Sequence, residues 1–137
     1  MKEFKKIEFF LYNYENLDDM IKKVENEYID FISGSVATWL KSRKNEQNTM
    51  EDEVICMIED KRICKYRKWQ AFLKEMFAFF YEDYPGLYKF ITLKYINKKD
   101  KSYIKNKFRM NDEEFKRVRK TIICWLWINA IEEKIIW

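Results

Sequence analysis

Histidine is absent from this chain of 137 residues, and there are only two glycines and one proline. Without histidine the chain has no imidazole base, no Ser-His-Asp triad and no imidazole metal site. Gly34 and Gly86 cannot form a glycine-rich phosphate loop, and they are too few for the turns of a β-sandwich or barrel. Aromatic residues make up 18% of the chain, which argues against disorder. The composition therefore predicts an all-α protein with a core of large side chains.

Long apolar runs are also missing. A helix needs about 20 apolar residues to span a bilayer. The longest candidate, TIICWLWINAIEEKIIW, is interrupted by Asn129, Glu132, Glu133 and Lys134. The N-terminal stretch lacks the apolar core of a signal peptide. We therefore expect a cytoplasmic protein that has no membrane partner.

The three cysteines, Cys56, Cys64 and Cys124, form no CxxC motif. Cys56 and Cys64 are too far apart for a disulfide if they share one helix. We expect all three to be buried free thiols.

Charge is distributed unevenly along the chain. The net charge is +4, but residues 85–137 carry 13 basic and 6 acidic residues, whereas residues 1–84 have a net charge of −3. Residues 98–120 alone hold 10 basic and 4 acidic residues. This asymmetry indicates either a basic C-terminal half that faces a polyanion or a solvated lysine-rich surface.

Apolar spacing predicts long helices in the N-terminal half. A seam at alternating spacings of three and four predicts one helix over residues 4–31, nicked near residues 13–16 and ended at Gly34. A polar loop is expected at residues 41–48. Thr49 and the acidic cluster at residues 51–53 suit the start of a second helix that runs unbroken to Tyr84. This helix is expected either to pair with the first or to dimerise.

Pro85-Gly86 marks the clearest boundary, and the charge changes sign there. We expect residues 1–84 to be a helical oligomerisation or interaction region and residues 85–137 a separate DNA-binding domain. Within the second part the sequence predicts helices over residues 87–96 and 101–108, a turn at residues 109–111 and a long helix from Asp112. Asn111 and Glu114 have the spacing of a capping box. Trp125 and Ile128 are expected to be buried.

The stretch SYIKNKFRMNDEEF, residues 102–115, resembles the helix-turn-helix in the fourth region of bacterial sigma factors. Lys105 stands where that motif has a small residue, and Arg109 stands where it has glycine. The order of segments is similar to phage late-gene transcription regulators of the RinA/ArpU type. The resemblance implies an N-terminal long-helix hairpin or bundle followed by a sigma-region-four-like helix-turn-helix, encoded by a phage or prophage.

A helix-turn-helix inserts the start of its second helix into the major groove, where side chains read base edges. The residues expected to face bases are Glu113, Lys116, Arg117 and Lys120. The residues expected to contact phosphates are Lys98, Lys99, Lys101, Ser102, Tyr103, Arg109 and Arg119. Capping and the helix dipole are the competing roles for the acidic residues at the start of the helix.

The sequence thus predicts a sequence-specific, double-stranded-DNA-binding transcription regulator that acts at promoters. We expect no catalysis, no cofactor and no metal. RNA polymerase and a second copy of the chain are further candidate partners. Two alternatives remain open: a small terminase-like DNA-packaging protein, and a helical protein-interaction module or inhibitor that binds no DNA.

Overall fold

The computed structural model describes residues 2–42, residue 55 and residues 57–135, and for residues 31–42 it describes the backbone alone. All regular structure in these ranges is helical, which confirms the all-α class, and none of these helices is long and apolar enough to cross a bilayer. The helices are α1 (Lys2–Tyr12), α2 (Leu17–Ser42), α3 (Lys61–Asp83), α4 (Pro85–Ile91), α5 (Lys101–Phe108) and α6 (Asp112–Glu132). A 3₁₀ turn occupies Tyr14–Asn16 and a π-helical turn occupies Thr92–Ile96.

The expected nick in the first helix is a complete break. The Asn13 side-chain amide donates a hydrogen bond to the Phe9 carbonyl at 2.8 Å, and the 3₁₀ turn follows before α2 begins. An asparagine side chain that bonds nearby backbone competes with helix propagation.

The prediction that Gly34 ends the helix is wrong, because α2 continues through it to Ser42. A glycine inside a helix costs only about 1 kcal/mol relative to alanine, so it does not oblige the helix to stop.

The single helix predicted from residue 50 to Tyr84 is also wrong. Ile55, Met57 and Ile58 are helical, but the helix is interrupted at Glu59 and Asp60 before α3 begins. The Asp60 carboxylate accepts hydrogen bonds from the backbone N–H groups of the second and third residues of α3 at 2.8 and 3.4 Å, as an N-cap does. Residues 43–54, which include the expected loop, Thr49 and the acidic cluster, lie outside the described residues.

The chain forms two compact units. The α6 unit comprises residues 1–15 and 69–137, and the α2 unit comprises residues 16–68. These bounds differ from the predicted division at Tyr84 and Pro85, because α1 packs with α6 and belongs to the same unit. A division of function at residue 85 stays a prediction.

Aromatic side chains dominate the core of the α6 unit. Phe10 of α1 stacks on Trp69 of α3 with the ring planes 5° apart and the centroids 4.5 Å apart. Trp125 of α6 packs edge-on against Phe79 and Phe80 near the end of α3, at 5.5 Å from each. Other buried side chains of this core are Ile7, Leu11, Phe72, Leu73, Phe90, Ile91, Tyr95, Ile104, Phe115, Ile122, Ile123 and Leu126. Burying each such side chain contributes about 1.5–3 kcal/mol before conformational entropy is subtracted.

The α2 unit has a smaller core. Ile21 and Val24 of α2 are buried with Ile63 of α3. Around this cluster the Tyr28 hydroxyl donates to Asp60 at 2.5 Å, and Arg67 pairs with Glu25 at 3.2 Å. The Arg62 guanidinium beside Asp60 and the Tyr28 hydrogen bond hold the pKa of the Asp60 carboxyl far below its usual range.

Two expectations about burial are wrong in part. Cys64 and Cys124 are free thiols as expected, but Cys64 is half-buried and Cys124 is exposed, and Cys56 lies outside the described residues. Trp125 is partly buried, whereas Ile128 is 56% exposed. The run from Ile122 to Ile128 surrounds the helix with apolar side chains, and the core covers only one side of it.

Candidate nucleic-acid interface

The segment from α5 to α6 follows the predicted boundaries residue by residue. Asp100 starts α5 by accepting a hydrogen bond from the Tyr103 N–H at 2.7 Å. Asn111 and Glu114 form the expected capping box at the start of α6, with bonds of 2.8 and 3.4 Å between side chains and backbone. Both helices therefore have fixed starting points, and only three residues join them.

Arg109 makes the turn in place of glycine. Its backbone is left-handed, with φ 53° and ψ 48°, and the following Met110 N–H donates to the Lys105 carbonyl at 3.0 Å. Left-handed backbone costs an L-residue about 1–2 kcal/mol. The turn expected from the sequence forms, but it forms with a strained residue.

Buried side chains anchor the two helices to the core of the α6 unit. Ile104 of α5 is fully buried and Phe115 of α6 is nearly so. Phe90 of α4 contacts both helices, with its ring 5.4 Å from Phe115 of α6 and 6.1 Å from Phe108 of α5. Because these anchors lie on one side of α6, the side chains on the opposite side are directed to solvent.

All four residues expected to face bases are exposed on α6. Their spacings of three, one and three residues place them along one strip of the helix, which begins in its first turn. The strip contains Glu113, Lys116, Arg117 and Lys120. We call it the basic strip, and none of its members has an ion pair among the described residues.

The acidic residues at the start of α6 have different surroundings. Asp112 accepts hydrogen bonds from Lys105 at 2.6 Å and is 3.2 Å from the Lys101 ammonium. The Lys105 hydrogen bond, followed by that of Lys101, lowers the pKa of the Asp112 carboxyl. Lys105 of α5 therefore reaches the start of α6 and joins the two helices through Asp112.

Six of the seven residues expected to contact phosphates are exposed. They are Lys98, Lys99, Lys101, Ser102, Tyr103 and Arg109. The Lys99 ammonium lies 5.2 Å from the centre of the Tyr103 ring, so these two form one local surface at the start of α5. Lys98, which has a left-handed φ of 53°, follows the π-helical turn, which ends at Ile96.

Arg119 differs from the other six, because it is half-buried and binds a buried carboxylate. Its guanidinium donates to Glu8 of α1 at 3.0 and 2.5 Å and lies 4.7 Å from the centre of the Phe4 ring. The structure thus assigns Arg119 to the contact between α6 and α1, although the sequence predicted a phosphate contact.

Glu8 is the centre of a polar cluster that the sequence did not reveal. It is 8% exposed and also accepts a hydrogen bond from the Tyr95 hydroxyl at 2.6 Å. Burial alone raises the pKa of Glu8, but the hydrogen bonds from Arg119 and Tyr95 outweigh it and lower the pKa below the ordinary 4.5. Burial and the nearby Glu8 carboxylate raise the pKa of Tyr95 well above its usual range.

Lys94 of the π-helical turn also contacts α1. Its ammonium is 2.5 Å from the Tyr12 hydroxyl and lies 4.8 Å from the centre of the Tyr95 ring. Aromatic faces attract a cation at this distance. Lys94 and Arg119 together tie α1 to the C-terminal helices and fix the orientation of α6.

No protein-family model, no curated protein and no solved structure matches this chain.

Proposed function

We propose that this chain is a sequence-specific DNA-binding transcription regulator, encoded by a phage or prophage, that acts at promoters. In this proposal α5 and α6 work as a helix-turn-helix, and α6 is the helix that enters the major groove. The observation that carries it is the basic strip, which is exposed, begins at the capped end of α6 and is held in place by buried anchors on the opposite side.

The chemistry of the strip suits base edges. Lys116 and Arg117 carry donors for guanine O6 and N7, and arginine can make both bonds at once. Glu113 has only acceptor atoms at neutral pH and suits the amino group of cytosine. An α-helix fits the major groove with its first turns nearest the bases, and Glu113, Lys116 and Arg117 lie in those turns.

Carboxylates at the end of a DNA-facing helix repel phosphates, and the chain offsets most of that repulsion. Asp112 is paired with Lys105 and Lys101, and Glu114 is used in the capping box. Glu113 is the acidic residue at this end of α6 that is left to contact DNA. The exposed cations around the start of α5 supply sequence-independent attraction to the backbone.

The experiment starts with selection of binding sites from a random-sequence duplex pool. The selected duplex is then titrated with the whole chain by fluorescence anisotropy at physiological salt. Arg117→Ala is expected to weaken binding to the selected duplex by about 10- to 100-fold, the value of one bidentate base contact. Binding to a scrambled duplex is expected to change much less.

Arg67→Ala is the matched control, because Arg67 is an exposed arginine of the α2 unit. It is expected to leave both affinities unchanged. Equal losses in the two variants, or no loss with Arg117→Ala, would reject the assignment of α6 to the DNA.

A second candidate is a helical protein-interaction module that binds no DNA. The observation that favours it is an exposed, largely apolar groove on α6 that begins in the basic strip and extends beyond it. If the selection enriches no sequence and the folded chain binds no duplex at physiological salt, this candidate replaces the first.

A further inference from the structure

The groove on α6 extends from the basic strip towards the end of the helix. Its volume is about 600 Å³, and its walls are mainly apolar. Its lining residues are Arg117, Lys120, Thr121, Cys124, Trp125, Ile128, Asn129 and Glu132. Ile128 is 56% exposed, and Ile131 beside it is 54% exposed. Two isoleucines exposed to this degree on one helix indicate a surface that another element covers.

The exposed positions have the spacing of a helix-pairing seam. Thr121, Cys124, Ile128 and Ile131 follow one another at three, four and three residues, and all four are exposed. This alternation keeps a stripe facing a partner helix over successive turns. A straight partner helix therefore fits the groove better than an extended segment or a small ligand.

The charges at the two ends of the groove identify that partner. Lys120 lies six residues before Leu126 and Glu132 lies six residues after it, and both side chains are exposed. Each is therefore about 9 Å from the level of Leu126 along the helix axis. A second α6 that runs in the opposite direction brings its Glu132 to the level of Lys120, and its Ile128 to the level of Cys124.

We infer that α6 pairs antiparallel with α6 of a second copy of this chain, with the two-fold axis near the level of Leu126. The surface is self-complementary, as an isologous interface requires: each Cys124 lies beside an Ile128, and each Lys120 lies near a Glu132. The apolar centre supplies the attraction. The charge pairs at the rim favour the antiparallel direction, because a parallel pair would place like charges side by side.

One consequence rests on the proposed function. Phe115 marks the middle of the first turns of α6 and lies 11 residues before Leu126. In the antiparallel pair the two first turns are therefore about 33 Å apart. One turn of B-DNA separates half-sites by about 34–36 Å. The pair would thus present Glu113, Lys116 and Arg117 of both copies at the spacing of successive major grooves. Lys120 lies at the rim of the pair. The self-association itself needs no DNA.

The first test measures self-association of the whole chain without DNA, by sedimentation velocity over a concentration series. We expect a concentration-dependent shift from monomer to dimer. Ile128→Glu is expected to raise the dimer dissociation constant at least about tenfold, because it places a charge in the centre of the seam. Ile29→Glu alters an isoleucine of the α2 unit that is 49% exposed, and it is expected to leave the constant unchanged.

A second test reports the direction of pairing. Cys56 and Cys64 are replaced by serine in two forms of the chain. One form keeps Cys124, and the other carries Cys124→Ser with Ile128→Cys. Mild oxidation of a mixture is expected to link one form to the other in preference to linking like forms.

The inference would be overturned by a monomer at every concentration, or by an Ile29→Glu variant that dissociates as readily as Ile128→Glu. Links formed mainly between like forms would also overturn it, because they indicate parallel helices. All these measurements are made without DNA, so their failure leaves the proposed function to its own test.

Discussion

Replacing Arg109 by glycine is expected to stabilise the α6 unit. Arg109 holds a left-handed backbone, with φ 53° and ψ 48°, at the end of α5. Its side chain is exposed and has no hydrogen bond or ion pair among the described residues, so removing the side chain is expected to cost little stability. The Met110 N–H to Lys105 carbonyl bond is a backbone bond that glycine preserves.

Two opposing terms set the size of the effect. Release from the left-handed penalty stabilises the folded state by about 1–2 kcal/mol. Glycine also gives the unfolded chain more conformational freedom, which costs about 0.4–1 kcal/mol. The first term is the larger one, so the expected net stabilisation is about 0.5–1 kcal/mol. With a urea m-value of about 2 kcal/mol/M, the midpoint moves up by about 0.25–0.5 M.

The assay is equilibrium urea unfolding, followed by tryptophan fluorescence, with two control variants. Arg109→Ala removes the same side chain and keeps the left-handed penalty, so its midpoint is expected to stay close to that of the original chain. Lys107→Gly introduces glycine inside α5 and is expected to destabilise by about 1 kcal/mol. An Arg109→Gly midpoint at or below that of Arg109→Ala would show that the left-handed backbone at residue 109 costs no stability.

Three further predictions concern the cap, the buried carboxylate and the DNA contacts. Asn111→Ala removes the cap of α6 and is expected to cost about 1 kcal/mol in urea unfolding, whereas an unchanged midpoint would contradict the capping box. Glu8→Gln is expected to destabilise the chain at pH 7 and to lose that disadvantage on acidification. The pKa of Glu8 is lowered, so its contribution is present above pH 4.5 and falls as pH drops through the folded-state value. If the difference in unfolding free energy between Glu8→Gln and the original chain stays constant from pH 7 to pH 3, the role of the Glu8 carboxylate is contradicted. Lys99→Ala is expected to weaken binding to the selected and the scrambled duplex alike. It is also expected to reduce the slope of log affinity against log salt by about one. A loss confined to the selected duplex would contradict a phosphate contact.

The sequence was most informative where structure depends on neighbouring residues. The shortage of glycine and proline predicted the all-α class, and all regular structure in the described residues is helical. The bounds of α5, the start of α6 and the capping box of Asn111 and Glu114 agree with the prediction, because caps and turns involve residues within a few positions of each other. The break at Asp60 was missed, since an acidic residue inside a long apolar repeat looks like one more solvent position.

Contacts between distant parts of the chain were not predictable in this way. Glu8 lies at the edge of the apolar stripe of α1, a position that periodicity assigns to solvent, and its partner Arg119 is 111 residues away. Arg119 therefore looked like one more cation of a basic segment. The exposure of Ile128 was missed for a related reason. A run that is apolar around the whole helix does not indicate which side the core covers.

Whether this chain recognises a particular DNA sequence is decided by one ratio of affinities. The affinity of the whole chain for a duplex selected from a random pool is divided by its affinity for a scrambled duplex of the same composition, at physiological salt. We expect a ratio of about 10³ or more, which is typical of specific binding. A ratio near one would contradict it, since attraction by surface lysines alone binds every sequence equally.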